Sequence, residues 1–412
     1  MRRIKVVHLD NLDVGLRVHL GNYMRYLQAQ GYEVHAVCPP GRWLTHDTTI
    51  LDGVRVKIVR FDPAITPLTD LRSLLQLVRY FRRERFDIVH THTVKPGLLG
   101  RLAAAIAGVP IIIHTIHGLY LHDTLMSPRQ YRFFKAIETL GSKLSHGILS
   151  QNHADIQTMT TRGICPPSKI EFLGNGIDLS RFDPQHHTRE AQMQLRASLG
   201  IRPNEFVVGY MGRLVREKGI FEFIEAARLL KSRGVPAKYI VVGTPRQGEN
   251  IISPQQMIRE YGLEDDVLLL GYRDDIPELL SILNTIVLPS HGVEGIPRVL
   301  MEAAAMGVPA VATDARGNNE AVEHGVTGLL VPLYDSRAVA DAIYHILYHP
   351  EEARAMGQAA RKRAINQFDE RFFFWKTDLM YRRLIRERLH LDPQSILAPL
   401  PSQAMPSLES VA

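Results

Sequence analysis

Ser290-His-Gly-Val-Glu-Gly-Ile-Pro-Arg-Val-Leu-Met-Glu302-Ala-Ala-Ala-Met-Gly-Val-Pro309 places two glutamates, Glu294 and Glu302, around a Gly-Ile-Pro turn. Pro297 suits the first helical position, where its missing N–H costs nothing. Gly307 suits a helix stop, with Pro309 just beyond. The stretch therefore reads as a strand (285–288), a loop carrying Glu294, and a short helix carrying Glu302. A helix N-terminus offers unpaired N–H groups and partial positive charge, which attract an anion such as phosphate. Carboxylates beside it accept hydrogen bonds from hydroxyls. Phosphate together with many hydroxyls describes a nucleotide sugar.

Glu294 and Glu302 are separated by seven residues and flanked by Gly295, Pro297 and Ala303. This resembles the E-x7-E motif of the retaining glycosyltransferases of family 4. The resemblance implies a GT-B fold: α/β, with two doubly wound Rossmann-like domains facing each other across a cleft. Two glutamates on a solvated loop and helix would be the bland alternative, and the surrounding Gly-Ile-Pro and Glu-Ala context weighs against it. A second stretch, Gly212-Arg213-Leu-Val-Arg-Glu-Lys218-Gly219, resembles the family's G-R-x-x-x-x-K-G signature. There Arg213 and Lys218 would neutralise the donor diphosphate, arginine in bidentate fashion and lysine as a point charge.

The resemblance implies further roles. Glu302 binds the donor ribose, and Glu294 holds the transferred sugar. The backbone around Gly295, Ile296 and Pro297 lines the donor, although Pro297 has no N–H to give. Relatives carry a basic residue just before the first glutamate, where this chain has Val293. In the amino-terminal half, Gly15 matches a glycine-containing loop that lets backbone approach phosphate. His117, in His114-Thr-Ile-His117-Gly118, matches a histidine near the reacting sugar. Gly174-Asn175-Gly176-Ile177-Asp178 resembles the family's segment at the domain join and reads first as a tight turn.

The 412 residues carry a formal net charge of +6, with 45% hydrophobic and 22% charged residues. This is an ordinary globular composition that suits anionic partners without naming one. Two cysteines, Cys38 and Cys165, argue against a disulfide scaffold and fit a reducing compartment. The N-terminus runs straight into a strand-like Ile4–Leu9, with no signal peptide expected, and no apolar run is long enough to span a bilayer. A cytoplasmic location follows as an expectation, with peripheral contact at the inner face of the membrane. That contact would use the helix over 71–85. Leu71, Leu74, Leu75 and Val78 share one of its faces, and Arg72, Arg79, Arg82, Arg83 and Arg85 form a basic flank. Taken alone, such a helix more often packs its apolar face on a core.

Strands and helices alternate in two sets, implying parallel sheets covered on both faces. The expected division is 1–185 as an acceptor-side domain, 186–365 as the donor domain, 366–390 as a helix crossing back, and 391–412 as a disordered tail. Four histidines (His90, His92, His114 and His117) lie on different loops without cysteine, which argues against a zinc site. No Asp-x-Asp metal motif, P-loop, dinucleotide fingerprint or G-x-S-x-G elbow occurs.

The reading is a retaining, metal-independent glycosyltransferase without cofactor. Its donor would be a nucleotide-diphosphate sugar, with UDP as the expected carrier. Its acceptor would be a saccharide or polyprenyl-linked saccharide, and nucleic acid is not a partner. Two alternatives use the same architecture: a nucleotide-sugar epimerase, which needs acid and base groups at a sugar carbon, and a non-catalytic nucleotide-sugar-binding subunit.

Overall fold

A computed structural model describes residues 3–18, 20–41, 44–46, 48–50, 53–62, 64–121, 126–245, 253–292 and 295–400. The chain divides into two compact units, Met1–Gly174 with Arg371–Ala404, and Asn175–Glu370. Each is built on one sheet.

In the first unit the strands are β1 (Lys5–Leu9), β2 (Glu33–Cys38), β3 (Thr48–Ile50), β4 (Val54–Ile58), β5 (Ile88–His92), β6 (Ile111–Ile116), β7 (Gly147–Ser150) and β8 (Ile170–Phe172). They are ordered β3-β4-β2-β1-β5-β6-β7-β8. Every pairing is parallel except β3 with β4. In the second unit β9 (Phe206–Met211), β10 (Ala237–Val242), β11 (Val267–Gly271), β12 (Thr285–Leu288), β13 (Ala310–Thr313) and β14 (Gly328–Val331) form an all-parallel sheet. Its order is β11-β10-β9-β12-β13-β14.

Successive side chains on a strand point to opposite faces, and in the second unit both faces are apolar. Val207, Ile240, Ile286 and Ala310 enter one core. Val208, Tyr239, Val287 and Val311 enter the other. The first sheet is different. Val7, Leu9, Val89 and Ile112 pack on one face with Leu77, Phe81 and Ala103. On the other strand positions, His8, His90 and His92 are buried. Tyr381, from the Glu370–Leu389 helix, hydrogen-bonds to His90.

Strand order reverses between β1 and β5, and again between β9 and β12. Ligands of open parallel sheets bind beyond the carboxyl ends of strands at such switch points. In the first unit these ends lead into Asp10 and Thr93. In the second they lead into Gly212 and Pro289.

Three expectations need correction. The division falls at Gly174/Asn175 rather than after 185. Backbone bonds from Ile177 N–H to the Phe368 carbonyl and from Glu370 N–H to the Ile177 carbonyl draw the segment into the second unit, and Phe182 is buried in its core. Second, 391–400 is not a loose tail. Leu397 is buried, Ala398 N–H donates to the Gln30 carbonyl, and Arg382 donates to the Ala398 carbonyl. Residues 401–412 lie outside the described residues. Third, the Pro67–Glu84 helix splits the face read from its periodicity: Val78 is buried and Leu74 packs against the core, while Leu71 and Leu75 are exposed. Its buried residues are Ser73, Leu77, Val78, Tyr80 and Phe81. Leu68, Leu71 and Leu75 are exposed.

Asp378 is fully buried on the Glu370–Leu389 helix. Its carboxylate accepts hydrogen bonds from Tyr32 Oη at 2.6 Å, Tyr26 Oη at 3.3 Å and Arg382 Nε at 3.0 Å. A buried charge is tolerated only while paired. Arg382→Ala is expected to destabilise the first unit by about 3–5 kcal/mol, because the carboxylate is left without its cation. Tyr26→Phe should cost no more than about 1 kcal/mol, since it removes one of several donors. Urea unfolding followed by tyrosine fluorescence checks both.

Candidate functional site

The carboxyl end of β9 runs into Gly212 and Arg213, followed by a 3-10 turn over Arg216–Lys218 and the Ile220–Ser232 helix. Arg213 is exposed and Lys218 half-buried. Between turn and helix stands Gly219 with φ of 76°. A Cβ there would lie 2.0 Å from the Pro289 carbonyl oxygen. Only glycine permits both the left-handed backbone and this approach.

The approach joins two loops. Glu217 O accepts His291 N–H at 3.0 Å and Gly292 N–H at 3.1 Å. The turn carrying Lys218 is thereby fastened to the segment that leads into Glu294. Glu294 and Val293 lie outside the described residues. The same segment is held from the opposite side. Asn318 Nδ2 donates to Ser290 Oγ at 3.1 Å and to Thr313 O at 3.1 Å, and Thr313 Oγ1 donates to the Ser290 carbonyl. The His291 ring stacks on Tyr334 with centroids 4.2 Å apart, and its Nε2 lies 3.5 Å from Glu222.

Gly295, Ile296 and Pro297 are buried. Pro297 caps the Arg298–Ala305 helix instead of occupying its first turn, one residue from the expected place. Asn175 Nδ2 donates to the Ile296 carbonyl at 2.9 Å, and Arg298 Nη1 donates to the Gly176 carbonyl at 3.0 Å. The Gly174–Asp178 turn thus braces the Gly-Ile-Pro turn.

Glu302 lies one helical turn after Arg298, whose Nε is 3.4 Å from Glu302 Oε1. Desolvation pushes the Glu302 carboxyl above its ordinary range, while Arg298 and Arg181 pull it down. The helix therefore presents a carboxylate already steadied by a guanidinium. Arg298 and His291 were not singled out in the sequence, and Asn175 was read only as part of a tight turn. The i,i+4 spacing of Arg298 and Glu302 was a readable signal for the first; nothing local marks His291.

In the first unit, Gly15 sits inside the short Asp13–Val18 helix. A Cβ there would meet the Asp10 carboxylate at 3.0 Å. Asp10 is buried, and desolvation lifts its carboxyl to about 6. The space over Gly15 is therefore filled by an acid, which does not favour the phosphate approach expected there. His117, at the end of β6, directs Nε2 to His92 Nδ1 at 2.9 Å. Among the described residues, His8, His90 and His92 place ring nitrogens within 4.8 Å of one another. His114 hydrogen-bonds to Thr91 instead. The histidine cluster thus differs in membership from the four weighed in the sequence.

The profile described as "Glycosyltransferase Family 4" matches residues 15–181, and that described as "Glycosyl transferases group 1" matches residues 192–363. This chain belongs to the family 4 glycosyltransferases of GT-B fold, and it is a glycosyltransferase. Over 373 residues it is 29% identical to the UDP-Gal:alpha-D-GlcNAc-diphosphoundecaprenol alpha-1,3-galactosyltransferase of Escherichia coli, covering 89% of this chain and 94% of that protein. It is 26% identical to the capsular polysaccharide biosynthesis glycosyltransferase CapM of Staphylococcus aureus, covering 94% and 99%. Among solved structures, Anabaena HepE in complex with UDP and glucose superposes with a TM-score of 0.77 at 22% identity, over 92% of this chain and 99% of that one.

Gly219→Ala is expected to cost at least about 1–2 kcal/mol from the left-handed backbone alone, with more from the contact at Pro289. Hydrogen exchange should show the amides of His291 and Gly292 losing protection before those of β12.

Proposed function

We propose that this chain is a retaining, metal-independent transferase that takes a sugar from a UDP-sugar and delivers it to a hydroxyl of a saccharide or lipid-linked saccharide. One observation carries the reading: backbone bonds from His291 and Gly292 to Glu217 tie the Arg213–Lys218 loop to the segment entering Glu294. The loop bearing the cations proposed for a diphosphate follows β9, and the segment leading towards Glu294 follows β12, the two neighbouring strands at the switch point. The chemistry named for the E. coli and S. aureus relatives supports the same class of donor and acceptor.

In this mechanism the bond from the sugar's anomeric carbon to the diphosphate oxygen breaks. A bond to the acceptor oxygen forms on the same face. The acceptor proton passes to the departing diphosphate, so charge and atoms balance. Arg213 and Lys218 stabilise the negative charge that grows on the leaving group, an electrostatic effect largest where water is excluded. Glu302 accepts from the ribose hydroxyls, and Glu294 takes the transferred sugar. With no cofactor or metal proposed, positioning and charge account for the rate. An epimerase would need an acid–base pair at a sugar carbon, and no observation on the second unit favours one.

Glu302→Ala is expected to weaken UDP binding about 10- to 100-fold, the worth of hydrogen bonds to a charged group. Lys218→Ala should lower kcat by about 10²-fold or more with a smaller change in KM. Because the Glu302 carboxyl is held above its ordinary value, its accepting form is present at high pH and is lost as pH falls through the raised value. Calorimetry from pH 8 to 5 should show UDP affinity declining in the wild type and flat in Glu302→Gln. Radiolabel transfer unaffected by chelator, and by Lys218→Ala, would separate metal independence from the role given to lysine: the first result is expected, the second would reject it.

We also propose peripheral contact with an anionic membrane through the Pro67–Glu84 helix. No helix among the described residues is long and apolar enough to cross a membrane. Exposed Leu68, Leu71 and Leu75 lie beside exposed Arg72 and Arg79, an arrangement suited to anionic headgroups. Replacing the three leucines by serine should reduce co-sedimentation with phosphatidylglycerol vesicles at least about tenfold. Equal binding of the wild type to neutral vesicles would reject the idea.

A further inference from the structure

The first unit buries a run of polar side chains in which each group touches the next. Thr115 Oγ1 lies 2.7 Å from His90 Nε2, and His90 Nδ1 lies 2.7 Å from Tyr381 Oη. Tyr381 Oη lies 3.5 Å from His8 Nε2, the longest link. His8 Nδ1 is 3.1 Å from His92 Nε2, and His92 Nδ1 is 2.9 Å from His117 Nε2. At the outer end of the run His117 has the Gln151 side chain for a neighbour, which opposes the effect of burial on the ring. Two strands supply His8, His90 and His92, with His8 and His90 cross-strand partners. The Glu370–Leu389 helix supplies the tyrosine.

We propose that Thr115, His90, Tyr381, His8, His92 and His117 form one directional hydrogen-bond relay that sets the tautomer of His117 and, through it, the orientation of the Gln151 carboxamide. A neutral imidazole carries one N–H and one lone pair. Two N–H groups cannot face each other, and neither can two lone pairs. His8, His92 and His117 meet Nδ1 to Nε2 at each step, so all three are Nδ1–H or all three are Nε2–H. Burial keeps these rings neutral: it lowers His8 to about 3, His117 to about 4, and His90 and His92 well below the ordinary value.

The sense of the relay is decided at its inner end. Thr115 is 2% exposed, and its hydroxyl proton has no acceptor other than His90 Nε2 among the described hydrogen bonds. An unmade bond from a buried hydroxyl is costly, so Thr115 donates. His90 must then be Nδ1–H and donate to Tyr381; the Tyr23 hydroxyl also meets Tyr381 and lowers its pKa, as a donor does, so the Tyr381 proton goes to His8. The same sense propagates through His92 to His117, whose Nδ1–H donates to Gln151. The carboxamide therefore turns its oxygen inward. Its two N–H donors are left for an oxygen atom beyond the end of β7, on the ligand edge of the sheet. Gln151 becomes a positioning residue whose donor face is set by a tyrosine on the last long helix.

His8, His90 and His92 also have the spacing of a divalent-cation site. A cation would need lone pairs that the relay already uses, since both ring nitrogens of His8, His90 and His92 have protein partners. The relay stands apart from the transferase reading, because tautomers are observed without turnover.

The test uses the full chain labelled with ¹⁵N-histidine and long-range ¹H–¹⁵N correlation at neutral pH. His8, His90, His92 and His117 are expected in the Nδ1–H form, against the Nε2–H form that a free histidine side chain favours. Nε2–H at His92 or His117 would overturn the proposal. In Tyr381→Phe the outer three rings are expected to populate both forms, and unchanged tautomers would refute the coupling. Thr115→Val, a near-isosteric change, supplies the same test if the tyrosine variant does not fold. One equivalent of zinc retained through dialysis of the wild type into zinc-free buffer would also refute it, in favour of a metal centre.

Discussion

The carbonyl of Glu217 accepting two successive N–H groups, from His291 and Gly292, is the contact on which the loops of the second unit depend. It exists because Gly219 has no side chain to hold Pro289 away. Without it, the cationic turn after β9 and the acidic segment after β12 would be two independent surface loops. With it, their separation is set by backbone geometry, which is stiffer than any pairing of long side chains. Electrostatic catalysis depends on such preorganisation, since groups that must move into place during the reaction lose much of their effect.

Supporting contacts repeat the same logic at longer range. Asn175, from the junction segment, donates to the Gly-Ile-Pro turn, Arg298, just after that turn, donates back to the junction, and Asn318 holds Ser290 from the far side of β13. The loops for which ligand chemistry is proposed are therefore held by hydrogen bonds to backbone carbonyls and neighbouring hydroxyls.

The alternation of short apolar strands with helices announced two parallel sheets, though β3, β4, β7, β8 and β14 were not read; Arg213, Lys218 and Glu302 were picked out by their resemblance to family motifs. Other features were hidden for physical reasons. Periodicity identified the leucine face of the 67–84 segment but not whether that face meets a core, which depends on neighbours remote in sequence. Leu71 and Leu75 turned outward while Leu77 and Phe81 turned in. Composition marked the residues after 391 as tail-like, yet within 391–400 one apolar anchor, Leu397, is buried, Ala398 N–H donates to the Gln30 carbonyl, and the Arg382 side chain donates to the Ala398 carbonyl. His8 gave no local signal: its meaning comes from β5, more than eighty residues away, whose His92 lies 3.1 Å from it.

The helix holding Asp378 and Tyr381 is the last long one in the chain, yet it belongs to the first unit. During synthesis the first sheet emerges long before that helix does. Until it arrives, Tyr32 lacks its carboxylate acceptor and His90 its phenol. The amino-terminal half therefore waits on the ribosome as an incomplete body, its polar interior open to water, until that helix has been made.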